Sequence, residues 1–94
     1  MSRKIKILSM EYEVKEVDNI EHGSDEIGRI QHLDNLILIK RGINEERKKV
    51  VLIHEIIHAI FEQLGFSEEH DNEHLINSLA NSIYQVFTSN KDLI

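Results

Sequence analysis

The sequence predicts an α+β fold: a small, antiparallel-rich sheet of about three to four strands, then two packed helices, the first carrying the chemistry-bearing motif. Two observations lead there. Through the first forty residues, apolar and polar residues alternate or apolar residues run continuously in short stretches; beyond residue 44, apolar residues recur with helical period. The two patterns do not interleave, so strands come first and helices follow. The 94 residues fit one domain, residues 1–94. Its core is small, because short chains bury a modest fraction of their surface.

Residues 4–8 alternate, with Ile5 and Ile7 on one face. Tyr12, Val14 and Glu16 then alternate with Glu13, Lys15 and Val17. Polar residues 18–26, which include Gly23, read as a loop. Residues 27–32 and 36–40 read as a hairpin around Leu33-Asp34-Asn35. Leu36-Ile37-Leu38-Ile39 is continuously apolar, as in a strand covered on both faces. Gly42 closes the strand region. Asn44 can cap the next helix, and Glu45 and Glu46 complement the positive end of its dipole. That helix is expected to run to Leu64, with Gly65 just past its end. Residues 65–70 read as a loop. A second helix is expected over residues 71–88, on Leu75, Ile76, Leu79, Ala80, Ile83, Val86 and Phe87.

Composition removes several classes of function. There is no Cys, which excludes disulfides and thiolate metal sites and suits a cytoplasmic protein. The opening MSRKIKILSM is charged, but no apolar stretch of signal length follows it and no run approaches a membrane span. With a formal charge of -6 and no basic patch, neither nucleic acid nor a membrane is an expected partner.

The informative stretch is residues 50–61, VVLIHEIIHAIF, in which only His54, Glu55 and His58 are polar. A helix apolar nearly all round is normally buried. Burying two imidazoles and a carboxylate costs energy unless each has a partner, and a bound metal supplies one. His54-Glu55-Ile56-Ile57-His58 is the HExxH pattern of zinc hydrolases. Residues four apart on a helix are neighbours, roughly 6 Å apart, so both imidazoles can meet one ion. Glu55 projects about 100° further round, beside the ligand face. Zinc lowers the pKa of a bound water towards about 7, and Glu55 can take its proton as it attacks a carbonyl. The competing reading is two satisfied core histidines. HExxH arises by chance about once in twenty chains of this composition, but more often on a polar, exposed stretch than on an apolar one.

A catalytic zinc usually holds three protein ligands and an open position. The third His of the extended HExxHxxGxxH motif would fall on Leu64, so that motif is absent. The candidate is Glu73, at the start of the second helix and in line with Ile76 and Ala80 on its buried side. An antiparallel helix pair returns it to the level of His58. The alternative is an acidic residue that merely complements the helix dipole. His70, Asp71 and His74 are rivals, each more simply read as a solvated surface residue. Asn77, one turn on, could hydrogen-bond a ligand. Tyr84 shares Glu73's face but lies about 16 Å further along and reads as core. Glu62, four residues after His58, reads as exposed near a helix end. His22 and His32 have no partner motif and receive no role.

The blocks EERKKVVLIHEIIHAIFEQLG and NEHLINSLANSIYQV, with IKILSMEYEV and GRIQHLDNLILIKRGI before them, resemble the small HExxH metallopeptidase-like proteins of phages and prophages, related to the ImmA/IrrE type. The resemblance covers most of the chain, and HExxH is its specific part. It implies a minimal zincin-like fold, in which a small sheet packs on the motif helix and a further helix brings Glu73. It implies zinc as cofactor, His54 and His58 as ligands and Glu55 as the catalytic residue.

The expected function is zinc-dependent hydrolysis of a peptide bond in a protein or peptide substrate, with His54, His58 and Glu73 as ligands and Glu55 as general base. An extended substrate could add to an exposed strand, for which residues 36–40 are the expected position. His70 and His74 are candidates to stabilise the oxyanion. The alternative is a non-catalytic, zinc-stabilised binding module, such as a phage accessory protein acting on a host protein. The intact Glu55 favours the enzyme, because a structural site needs no general base.

Overall fold

The computed structural model describes residues 2–94. Four strands, β1 (Ser2–Ile7), β2 (Met10–Val17), β3 (Gly28–Gln31) and β4 (Leu36–Lys40), precede three helices: α1 (Glu45–Leu64), the short α2 (Ser67–His70) and α3 (Glu73–Ser89). The α+β class and the strand-then-helix order agree with the sequence reading. The sheet is mixed, with order β1-β2-β4-β3. β1 pairs antiparallel with β2 and β3 antiparallel with β4, but β2 and β4 run parallel. The other difference is α2, which occupies part of the stretch expected to be a loop.

The strand pattern explains which face is covered. Tyr12 and Val14 on β2, and Ile37 and Ile39 on β4, are buried against α1, which contributes Val51 and Ala59 to the same cluster. Leu38 points to the opposite face yet is buried. It is flanked in register by Lys15 and Arg29, whose aliphatic stems can cover an apolar neighbour. The turn from β3 to β4 is a 3-10 turn, His32–Asp34, closed by Asn35 in the left-handed conformation that Asn tolerates.

β4 therefore lies inside the sheet, hydrogen-bonded to β2 on one side and β3 on the other. This corrects the expectation that residues 36–40 offer an exposed strand. A continuous apolar run reports cover on both faces and carries no information about edges. Of the two edge strands, β1 and β3, it is β3 that passes beside Glu55 of the motif helix.

α1 has the termini its sequence asks for. Asn44 Oδ1 accepts a hydrogen bond from the Arg47 amide at 2.8 Å, and Gly65 ends the helix with φ 79°. Gln63 fixes its far end to the β1–β2 turn: its Nε2 donates to the Ile7 carbonyl at 2.8 Å, and its Oε1 accepts from Ser9 Oγ at 2.9 Å. Lys48, paired with Glu16 of β2 at 2.8 Å, fixes the near end. On the side away from the sheet, Ile57 packs with Ile76 and Ala80 of α3, and Val50, Ile53 and Phe61 extend that contact. The helix is thus apolar all round because the sheet covers one side and α3 the other. Ile76 is fully buried, and truncating such a side chain typically costs about 2–5 kcal/mol. Among the described residues, no helix is long and apolar enough to cross a membrane.

Candidate metal centre

His54 and His58 sit in the middle of α1, one turn apart, at the seam where α1 meets α3. Their Nε2 atoms are 3.2 Å apart. Glu73 is the first residue of α3. Its two carboxylate oxygens reach both rings, Oε1 at 2.9 Å from His58 Nε2 and Oε2 at 3.1 Å from His54 Nε2. Asn72, not Glu73, caps α3, its Oδ1 accepting from the Leu75 amide at 3.0 Å. The carboxylate of Glu73 is therefore free of a capping role.

The three side chains fit a zinc ion in kind and in spacing. Zn–N and Zn–O bonds are about 2.0–2.2 Å, which puts tetrahedral ligand atoms roughly 3.3 Å apart. The observed separations are within a few tenths of an ångström of that. All three ligand atoms lie within 4.8 Å of one another. The Glu73 side chain is 61% exposed, against 9% for His58. The cluster therefore opens towards solvent on its Glu73 side and is walled by protein on the other.

Glu55, one residue round the helix from the cluster, is buried like His58, at 5% exposed. β3 passes very close to it. A methyl group at Gly28 would collide with Val51 Cγ1 and sit 2.9 Å from Glu55 Oε2. Burial first, and then the negative charges of Glu73 and Glu26, push the Glu55 carboxyl of the metal-free chain from 4.5 up to about 8. Burial also pushes His58 below its ordinary range, which keeps its ring neutral and fit to bind a metal.

In front of His54 and Glu55 lies an open cleft of about 660 Å³. Ile27 and Gly28 form one wall and Asn77, Asn81 and Tyr84 of α3 form another. Tyr84, expected in the core, thus lines this cleft along with the motif helix. Asn77 is also on the cleft wall. Its backbone carbonyl accepts from Asn81 Nδ2 at 2.8 Å, and its side chain makes no hydrogen bond to Glu73 among the described residues.

The rivals of Glu73 separate clearly. His74 is exposed and belongs to neither metal-competent group, and Asp71 is 84% exposed, touching only His70 Nδ1 at 3.3 Å. His70 stacks edge-on against His58, ring centroids 4.7 Å apart, and turns its Nε2 to His32 Nε2 at 3.0 Å. Together with Glu62 these two form a second cluster, which the sequence reading did not assemble. Glu62 carried a signal, lying four residues beyond His58 on the same stripe. His32 carried none, because only the β3–β4 turn brings it there. Gly28 was also missed, since its importance comes from a close approach between β3 and α1.

No protein-family model, curated protein or solved structure matches this chain.

Two expected outcomes follow from this geometry. Glu73→Ala should weaken zinc binding far more than Asp71→Ala or His74→Ala in a competitive titration. Equal affinities across the three variants would show that Glu73 is not a ligand. The second concerns metal-free protein. Because the fold favours the protonated form of Glu55, its stabilising contribution is complete below pH 4.5 and is lost as pH rises to about 8. The depressed His58 acts in the opposite sense, its contribution being lost as pH falls below 6.5. Glu55→Gln removes only the first effect. Its melting temperature should exceed that of the wild type by several degrees more at pH near 8 than at pH near 5. A gain independent of pH would contradict the burial argument.

Proposed function

We propose that this chain is a zinc-dependent peptidase of zincin-like layout, in which His54, His58 and Glu73 hold the ion and Glu55 is the general base. The observation that carries this reading is the meeting of two imidazole Nε2 atoms and one carboxylate at 2.9–3.2 Å, beside a buried carboxyl group that stands outside the cluster. Two His and one Glu are a donor set of hydrolytic zinc. When bound, zinc would polarise the scissile carbonyl and lower the pKa of a water towards about 7.

The residues of the chain do the rest. Glu55 takes a proton from the attacking water and returns it to the leaving amine. Its poor solvation makes it a stronger base than a surface Glu, and the charge of a bound cation would draw its carboxyl back down, leaving it ionised near neutral pH. Glu73, largely exposed, leaves the ion reachable by substrate. β3 is an edge strand whose first residue, Gly28, lines the cleft together with the preceding Asp25, Glu26 and Ile27. A peptide added along that edge gains backbone hydrogen bonds as it passes Glu55. This supports a peptide as the substrate class, with β3 in the role first expected of residues 36–40. The cleft volume of about 660 Å³ lies within the range of about 300–1,000 Å³ usual for ligand sites. Asp25, Glu26 and Glu46 outnumber Arg47 around it, an acidic balance that favours substrates with basic side chains.

The test is a peptide-library screen with zinc-loaded protein, followed by variants on a cleaved peptide. Glu55→Gln should keep its zinc and lose roughly 10²–10⁴-fold in turnover, while His54→Ala loses both. Gly28→Ala, with folding verified by circular dichroism, should keep zinc and lose turnover by about 10²-fold, because the added methyl presses on Val51 and Glu55 and displaces the base. Full turnover by Glu55→Gln would refute the mechanism. Failure of the loaded wild type to cleave any peptide would favour a zinc-stabilised binding module.

A further inference from the structure

We infer that His32, Glu62 and His70 form a second metal site, adjacent to the first, that takes a divalent transition ion such as zinc. The inference does not rest on the first site being catalytic. One ligand atom from each of the three side chains lies within 4.8 Å of the other two. The side chains come from three separate elements: the β3–β4 turn, the last turn of α1 and the end of α2. Glu62 continues the α1 stripe of His54 and His58, one turn further on. The edge-on contact of His70 with His58, centroids 4.7 Å apart, makes the two sites neighbours.

Two imidazoles with Nε2 atoms 3.0 Å apart can instead share a proton in an N–H···N hydrogen bond. The surroundings favour a cation. His70 Nδ1 faces Asp71 Oδ1 at 3.3 Å, the carboxylate support that commonly orients a metal-binding His and leaves its Nε2 lone pair free. Nδ1 of His32 is buried without a partner, so that ring's only polar contact is made through Nε2, inside the cluster. Glu62 brings a carboxylate that no Lys or Arg pairs with among the described residues. Two imidazoles and a carboxylate suit zinc and neighbouring first-row ions.

An ion there clamps the β3–β4 turn and α2 to the end of α1. α2 leads, through Asp71 and Asn72, directly into Glu73. The second site would therefore restrain the segment that presents the third ligand of the first.

The test is zinc titration of untagged, chelator-stripped protein against a chromophoric competitor, with circular dichroism to verify folding. The wild type should bind about two zinc ions per chain, His32→Ala one, His54→Ala one, and the double variant none. Glu62→Gln alters an exposed residue, so folding is not at stake. It should weaken one of the two affinities by at least about tenfold and leave the other unchanged. A wild type that binds one ion, lost in His54→Ala and retained in His32→Ala, overturns the second site and leaves the first standing. One ion lost in His32→Ala and retained in His54→Ala upholds the second site and removes the first. A single ion lost in both variants, or no change in stoichiometry and affinity in His32→Ala and Glu62→Gln, overturns the inference.

Discussion

Coverage of α1 on two opposite sides is the constraint on which the rest of the structure depends. The sheet buries Val51 and Ala59, and α3 buries Ile57. Polar groups on such a helix cannot reach bulk water in every direction. His54, Glu55 and His58 can satisfy their polarity only along the seam between the two covers. That seam is where Glu73 arrives. The same burial that stabilises the helix lowers the basicity of His58 and raises the Glu55 carboxyl. Packing and chemistry here share one physical cause.

The helical half was legible in the sequence. Asn44, Gly65 and the unbroken apolar run marked α1 to within its observed limits, and the period of Leu75, Ile76, Leu79 and Ala80 marked α3. Glu73 could be singled out because a short connection between antiparallel helices leaves few residues able to face back on His58. The sheet was less legible. Alternation identified the strands, but the parallel pairing of β2 with β4 depends on β3 lying outside β4, a long-range choice that no local pattern records. For the same reason residues 36–40 looked like an available edge when β3 is the edge.

Contacts that depend on topology were illegible. His32 joins His70 only because the β3–β4 turn folds over the end of α1. Gly28 matters only because β3 passes within a methyl group's width of Val51 and Glu55. Tyr84, placed by helix geometry well beyond Glu73, still lines the cleft, since the cleft runs along α3 rather than ending at the His cluster. Four of the six histidines in the chain, His32, His54, His58 and His70, thus form one contiguous set of rings at the junction of sheet and helices. In a domain this small, a metal bound at that junction, as we propose, would contribute to folding as well as to chemistry.

The most direct measurement is anomalous diffraction at the zinc edge from crystals grown with zinc. The expected result is a peak about 2.0–2.1 Å from the Nε2 atoms of both His54 and His58, with a Glu73 oxygen completing the site. The contradicting result is no peak between those three side chains, with the Glu73 carboxylate still hydrogen-bonded to both imidazoles.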